Sequence, residues 1–554
     1  MKSFLLATAI AVLPLSGLSG VALAADPLFD GARLTEHVQI LSSDGFEGRG
    51  PATLGEDKTV AYIAGQYAAV GLEPGGDLKD GKRAWTQDVP LGQFSIEGPV
   101  ASSVTVAGKT TALVQGEDIA IRAAMTNVDS VSLANIPIVW VGYGVTAPER
   151  NWDDFKGIDV KGKIIVLLIN DPDFETGKGD FGGKAMTYYG RWTYKYEEAA
   201  RRGAAGVLVV HETAGASYGW ATVKNSNTNV MFDIVRQDPS ASHTNLEGWL
   251  SRDATVKLFA AAGLNFEVEK KKAQSRAFKP VVLKNASFSA EYRVKHAVIV
   301  SKNVLGVLPG KTHPDDYVVY SGHWDHLGVG RPDAEGDTIY NGAVDNATGT
   351  AAVIEMARAF VKGPRPDRSM LFLTVTAEEK GLLGSEYYAA NPVYPLSRTV
   401  AMINTDALSP LAPTTDFNVS GDAKQDLLDM LIAKGKASGR VFTPDPTPEA
   451  GHFFRSDHFP LAKRGVPAIS FGSGVEVITG DKAAARAWAD NYTRDKYHQP
   501  ADEWGRDWTM DGMVADLTLL HDLGQDLANS RSWPEWAEGS EFKAIRDASK
   551  ADRN

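Results

Sequence analysis

The sequence predicts an α/β protein, a mostly parallel sheet flanked by helices, and three observations predict it. From about residue 298 onward, strand-length apolar runs alternate with helix-length amphipathic segments, the pattern that strand–helix–strand crossovers impose. Runs such as residues 164–168 are continuously apolar, as strands buried on both faces must be. Side chains suited to binding metal (His323, Glu378, Glu379 and Asp406) fall at the carboxyl ends of the predicted strands, where such sheets bind their ligands.

The chain opens with Lys2, an apolar stretch over residues 4–15 and the small residues Ala22 and Ala24. These predict a secretory signal peptide over residues 1–24, cleaved near Ala24, and hence a bacterial periplasmic or extracellular address. Its apolar core is too short for a membrane span, and no later stretch approaches the roughly 20 apolar residues a transmembrane helix needs. Residues 32–41 and 56–70 have apolar faces at helical spacing, and Gly71-Leu72-Glu73-Pro74-Gly75-Gly76 stops the second helix. Alternating Val and Ile over 102–120, and apolar runs at 136–141 and 164–168, predict strands. A helix at 197–203 leads through Gly203 to a strand at 207–210, after which Gly, Asn and Ser dominate to about residue 245. Further on, strands are expected at 298–308, 317–322, 369–377, 399–406 and 468–471, with helices at 347–361, 382–389 and 423–437.

Composition narrows the function. With no cysteine the chain has no disulfide, no thiolate nucleophile and no thiolate metal ligand. The net charge of -12, which becomes -13 when Lys2 leaves with the signal peptide, provides no polybasic surface for nucleic acid or anionic lipid. Neither nucleic acid nor a membrane is therefore an expected partner, and the oligomeric state is left open. A length of 554 residues points to more than one domain, at about 100–200 residues per domain.

The chemistry is concentrated in His323, Asp325, Asp345, the pair Glu378-Glu379, Asp406 and His498. A catalytic zinc takes His nitrogen and carboxylate oxygen and keeps one position for water, and two zinc ions about 3.5–4 Å apart need a carboxylate reaching both. An acidic pair at the end of an apolar strand can divide the work, one carboxylate on metal and its neighbour moving a proton. The competing reading of Glu378-Glu379 is a solvated pair at a helix start, where negative charge is favourable. Ser456-Asp457-His458 lacks the Gly-x-Ser-x-Gly elbow of a serine nucleophile and is expected to support the pocket. His211 and His296 lie in apolar strands and are expected to be satisfied core or rim residues; Trp324, Phe453, Phe454 and Phe471 fit a pocket wall or the core equally well.

Taken with Asp345, Asn346 and Gly349, the segments Gly322-His323-Trp324-Asp325, Thr376-Ala377-Glu378-Glu379, Asn404-Thr405-Asp406 and Lys496-Tyr497-His498 resemble the dizinc exopeptidase family of bacterial leucyl aminopeptidases, aminopeptidase S and glutamate carboxypeptidase II. The resemblance covers roughly residues 295–525 and implies a zinc-exopeptidase, phosphorylase/hydrolase-like fold with two zinc ions per chain and a peptide substrate. It implies that His323 and Asp406 hold one zinc, Glu379 and His498 the other, and that Asp345 bridges them. Glu378 would be the general base, Asp325 would orient the His323 ring, and Tyr497 would donate a hydrogen bond to the tetrahedral oxyanion. A cis peptide is implied at Asp345-Asn346.

Residues 141–144, 157–168 and 199–211 resemble a protease-associated domain, which implies a β-rich insertion. The division that follows is 25–124 as the N-terminal part of the peptidase domain, 125–290 as the insertion, 291–535 as the dizinc peptidase domain and 536–554 as a C-terminal tail. In the acidic-dipeptide carboxypeptidases of the family, arginines follow the segment corresponding to Gly465-Val466-Pro467. Here Ser470, Phe471, Gly472 and Ser473 stand there instead, which favours an aminopeptidase over a carboxypeptidase or dipeptidase. A glutaminyl cyclase, which shares the fold but uses one zinc, and a non-catalytic ectodomain are the remaining alternatives; the full ligand set argues against both.

Overall fold

The computed structural model describes residues 28–421 and 423–553, so the expected signal peptide lies outside the described residues. A single sheet of sixteen strands runs through them. From one edge its main path follows Val441–Phe442, Asp416–Val419, Ala468–Ser473, Thr399–Thr405, His313–His323 and Arg368–Val375 to the long strand Val281–Leu308. It then continues through Ser130–Trp140, Ile164–Leu168, Gly206–His211 and Leu246–Ser251 to Ile119–Ile121. The α/β architecture is thus the one expected, and it is built twice. His313–His323 runs parallel to both Arg368–Val375 and Thr399–Thr405, and the latter parallel to Ala468–Ser473. Beyond the long strand, Ser130–Trp140, Ile164–Leu168, Gly206–His211 and Leu246–Ser251 form a second parallel set, edged antiparallel by Ile119–Ile121.

Burial explains which strands were legible. All five residues of Ile164–Leu168 and all eight of Arg368–Val375 are buried, so each is read as a strand covered on both faces. The strand expected at 298–308 instead begins at Val281 and pairs antiparallel with Thr86–Val106 along much of its length. Its first part alternates buried with exposed residues and carries Lys284, Glu291, Lys295 and Lys302, a half-solvated ribbon that looks like loop in one dimension. The Gly/Asn/Ser-rich stretch likewise contains the short helix Trp220–Asn227 and the strand Met231–Ile234, the latter paired with Leu91–Phe94.

Local chemistry sets the helix ends. Thr53 Oγ1 accepts from Gly55 N to cap Leu54–Val70, and Gly71, at φ 95°, closes that helix in the left-handed conformation that glycine adopts without strain. Helix Gly349–Lys362 is buried for most of its length between the sheet and Asp511–Asn529. It starts directly below the strand ends and so carries the turn before it, Ala343–Thr348, into the middle of them. The final segment docks as well: Arg546, 1% exposed, donates to the carbonyls of Thr399, Val400 and Pro534. Among the described residues no helix is long and apolar enough to cross a membrane.

Candidate metal centre

The five expected ligands converge. His323 ends its strand, Glu378 and Glu379 follow Arg368–Val375, Asp406 follows Thr399–Thr405, Asp345 sits in the turn before Gly349–Lys362, and His498 arrives on the segment after Tyr492–Lys496. His323 Nε2 lies 3.3 Å from Asp345 Oδ1 and 3.3 Å from Asp406 Oδ1. On the other side, His498 Nε2 lies 3.2 Å from Asp345 Oδ2 and 3.0 Å from Glu379 Oε2. Asp345 therefore offers one oxygen to each of two donor groups. The Asp345–Asn346 peptide is cis.

His326 was not anticipated. Its Nδ1 stands 2.7 Å from Glu379 Oε1, and it groups with Asp345 and Glu379 as a second possible metal-holding set beside His323, Asp345 and Asp406. The signal was its position three residues after His323, a spacing that in a loop says little about direction. His326 Nδ1 faces Glu379 Oε1 directly, and its Nε2 is buried without a hydrogen-bond partner. Buried polar atoms are rarely left so, and histidine nitrogens and carboxylate oxygens facing one another are the donor set that zinc takes. The residues present fit the expected metal.

Asp325 differs from expectation. Its carboxylate Oδ1 is 3.8 Å from His323 Nδ1, and it is the Asp325 main-chain carbonyl, at 3.1 Å, that accepts from the ring. The carboxylate turns to the acidic pair and accepts from Glu378 N at 3.0 Å and Glu379 N at 3.4 Å. Asp325 thus orients the histidine with its backbone and the two glutamates with its side chain. Ser456 supports the pocket as expected: its hydroxyl donates to Asp406 Oδ2 at 2.6 Å and accepts from Asn404 Nδ2 at 2.8 Å. Asp502, outside the expected set, accepts from the Val344 and Asp345 amides and anchors the turn that carries Asp345. Tyr497 is 46% exposed and stacks on the His498 ring at 3.9 Å, leaving its hydroxyl free to turn toward a ligand. Trp324 and Phe471 are core residues, whereas Phe454 lines the cleft above the centre.

Electrostatics separate the adjacent glutamates. Burial, opposed by His323 and reinforced by Glu379 and Asp406, pushes the Glu378 carboxyl well above the usual carboxylate range. For Glu379 burial and Asp345 push the same way, but the hydrogen bonds of His326 and His498 overcome them and hold it down at about 2. Asp345 is likewise held well below its ordinary value, against burial, by His323 and His498. Burial opposes the charge on His323, yet Glu378, Asp406 and Asp345 keep its imidazolium favoured well above the usual range. Neighbouring carboxyls with opposite shifts are what a division between anion and proton carrier requires.

The centre opens into a cleft of about 370 Å³ walled by both halves of the molecule. Glu378, Tyr497 and His498 line it together with Arg191, Trp192 and Arg455. Arg191 Nε is buried without a partner, and burial together with Arg455 lowers the guanidinium to about 10. Arg455 donates to Ala450 O and Ser217 Oγ. Among the described residues neither arginine pairs with a carboxylate, a feature invisible in the sequence because Arg191 lies on the far half.

Residues 303–520 match the sequence pattern of Peptidase family M28. That segment belongs to peptidase family M28. It contains all eight expected site residues, from His323 to His498. The chain is similar to the aminopeptidase NAALADL1 of Mus musculus, 38% identical over 134 residues, which is 22% of this chain and 16% of that protein. It is similar to the probable glutamate carboxypeptidase LAMP1 of Arabidopsis thaliana, 36% identical over 110 residues, 19% of this chain and 14% of that one. Both matches span well under a quarter of those relatives. Among solved structures, the aminopeptidase from Aneurinibacillus sp. strain AM-1 aligns over 90% of this chain and 94% of its own, with a TM-score of 0.47 and 19% identity.

Proposed function

We propose that this chain is a metallo-aminopeptidase that removes N-terminal residues from short peptides, using two zinc ions and Glu378 as general base. The observation that carries the reading is Asp345, which presents one oxygen to His323 and Asp406's side of the centre and the other to that of Glu379 and His498. The relatives named aminopeptidase and the M28 segment support it. Zinc bound by these residues would polarise the scissile carbonyl and lower the pKa of the attacking water. Glu378, whose carboxyl is raised, accepts the water's proton and returns it to the leaving amine; Tyr497 donates to the oxyanion. Asp325 holds both glutamates in place through their amides.

The signal-peptide pattern supports a periplasmic or extracellular address. We assign residues 125–290 to a protease-associated insertion, 25–124 and 291–535 to the peptidase domain and 536–554 to a tail, a division supported by the parallel set that runs to Leu246–Ser251 beyond the long strand.

A second reading, carboxypeptidase or dipeptidase of the same family, is favoured by Arg191 and Arg455, which could hold a terminal carboxylate. One experiment separates them. A leucyl tripeptide is offered free, N-acetylated and C-amidated, with and without chelator. The aminopeptidase reading expects acetylation to abolish cleavage, amidation to leave it nearly unchanged, and chelation to abolish it until zinc is restored. Release of the C-terminal residue first would establish the second reading. Full activity in chelator by protein free of transition metal would end both.

A further inference from the structure

The centre is also approached from beneath by a segment that precedes the M28 match. Residues Asp44–Arg49 form a tight turn in which Glu47, Gly48 and Arg49 all have positive φ, between 51° and 62°. Non-glycine residues hold that conformation only where their surroundings enforce it. The turn is wedged between two loops of the site: a Cβ on Gly48 would stand 2.5 Å from Tyr340 O and 2.6 Å from Gly328 O.

Arg49 is 1% exposed and spreads its guanidinium over four main-chain carbonyls. Nε donates to Trp324 O at 2.9 Å, Nη1 to Leu41 O at 2.7 Å and Asn341 O at 2.6 Å, and Nη2 to Gly342 O at 2.8 Å. Its own carbonyl accepts from His326 N at 3.3 Å. Trp324 lies between His323 and Asp325, and Gly342 is three residues before Asp345. Two of the stretches that Arg49 bonds therefore carry His323 and His326, and the shared carboxylate Asp345. Only a planar fork of five donors can serve carbonyls arriving from three directions; a lysine ammonium cannot span them.

We propose that Arg49 is a positioning residue of the metal centre: by tying the main chain at Trp324 to that at Asn341-Gly342, it fixes His323 and His326 relative to Asp345. The inference rests on the two-metal reading above. It makes the N-terminal helices part of the site although they supply no ligand.

The test compares the full chain with Arg49→Lys and with Asn341→Ala. The second variant leaves the guanidinium in place but removes the amide that donates to Ser42 O at 2.8 Å and Asp44 Oδ1 at 2.9 Å, loosening the same junction more gently. Zinc affinity is read by competition with a chromophoric chelator, ligand geometry by the visible spectrum of the cobalt-loaded protein, and thermal stability with and without metal. Arg49→Lys should weaken zinc binding by about 10–100-fold, the range for residues that orient ligands, alter the cobalt spectrum and lower kcat with little change in KM. Asn341→Ala should move each in the same direction by less. A merely structural role would lower Tm equally with and without metal while leaving zinc affinity and the cobalt spectrum at wild-type values, and that result would overturn the proposal. Failure of both variants to fold would also overturn it, assigning the turn to folding. Wild-type protein that binds no zinc would instead overturn the two-metal reading beneath it.

Discussion

Each half of the sheet buries a cluster of charged groups near the carboxyl ends of its parallel strands, and the two clusters are resolved in opposite ways. Beyond strand Ile164–Leu168, Asp171 accepts from Thr187 N and Oγ1, Asp154 accepts from Val145 N and Trp152 Nε1, and the Lys195 ammonium donates to the carbonyls of Tyr143 and Asn170. Burial raises both acids to about 7 and lowers Lys195 to about 8, so the groups are driven toward neutrality, and each makes two hydrogen bonds. In the other half, His326 Nε2 is buried without a hydrogen-bond partner, while Glu379 and Asp345 are pushed further toward the anion. Burial and charge alone do not distinguish structural from functional groups here. The convergence of histidine nitrogens and carboxylate oxygens from separate segments does.

The largest effect that would break this contrast comes from Asp345→Ala. It should remove both metals and all measurable hydrolysis, whereas Asp171→Asn in the other half should leave metal content and kcat unchanged; elemental analysis with a leucyl-peptide assay checks both. Retention of either metal by Asp345→Ala would end the claim that this carboxylate is shared. Next in size, Glu378→Gln should lower kcat by about 10²–10⁴-fold with both metals retained, since the amide fills the same space but accepts no proton. Metal loss proportional to activity would mean that Glu378 and Glu379 exchange roles. Ser456→Ala, which removes the hydroxyl donating to Asp406, should cost about 10–100-fold in metal affinity or activity, read by zinc titration.

The smallest effect sharpens the structural side. His243, on the cleft wall, contacts Asp233 at 3.0 Å and Glu247 at 3.1 Å, and these carboxylates outweigh burial to raise its pKa from 6.5 to about 9. A pKa raised in the folded state contributes stability that is complete below about pH 6.5 and lost as pH rises through about 9. The contribution is on the order of 3 kcal/mol. Thermal melts across that window should show Tm falling in the wild type and a flatter profile in His243→Gln.

Much of the centre was legible because its residues punctuate local pattern. His323, Glu378 and Asp406 each terminate a run whose apolar continuity marks a buried strand, so their placement at strand ends follows from the runs themselves. Asp325 was legible as a neighbour of the site but not in its partners, because whether its carboxylate or its carbonyl meets His323 depends on a loop conformation with no periodicity. The strand Val281–Leu308 was half missed for the same reason: its solvated part is stabilised by pairing with Thr86–Val106, far away in sequence.

The sequence by itself determined the strand–helix alternation, the ends at which ligands stand and the kinds of ligand, since short-range hydrophobic period and side-chain chemistry need no knowledge of the rest of the chain. Only the tertiary structure decided that His326 turns inward to Glu379, that Arg191 and Arg455 line the same cleft as the centre, and that Arg49 reaches four carbonyls beneath it. Each of these depends on segments more than 40 residues apart being packed against one another. Side-chain direction in loops is settled by that packing, not by any pattern along the chain.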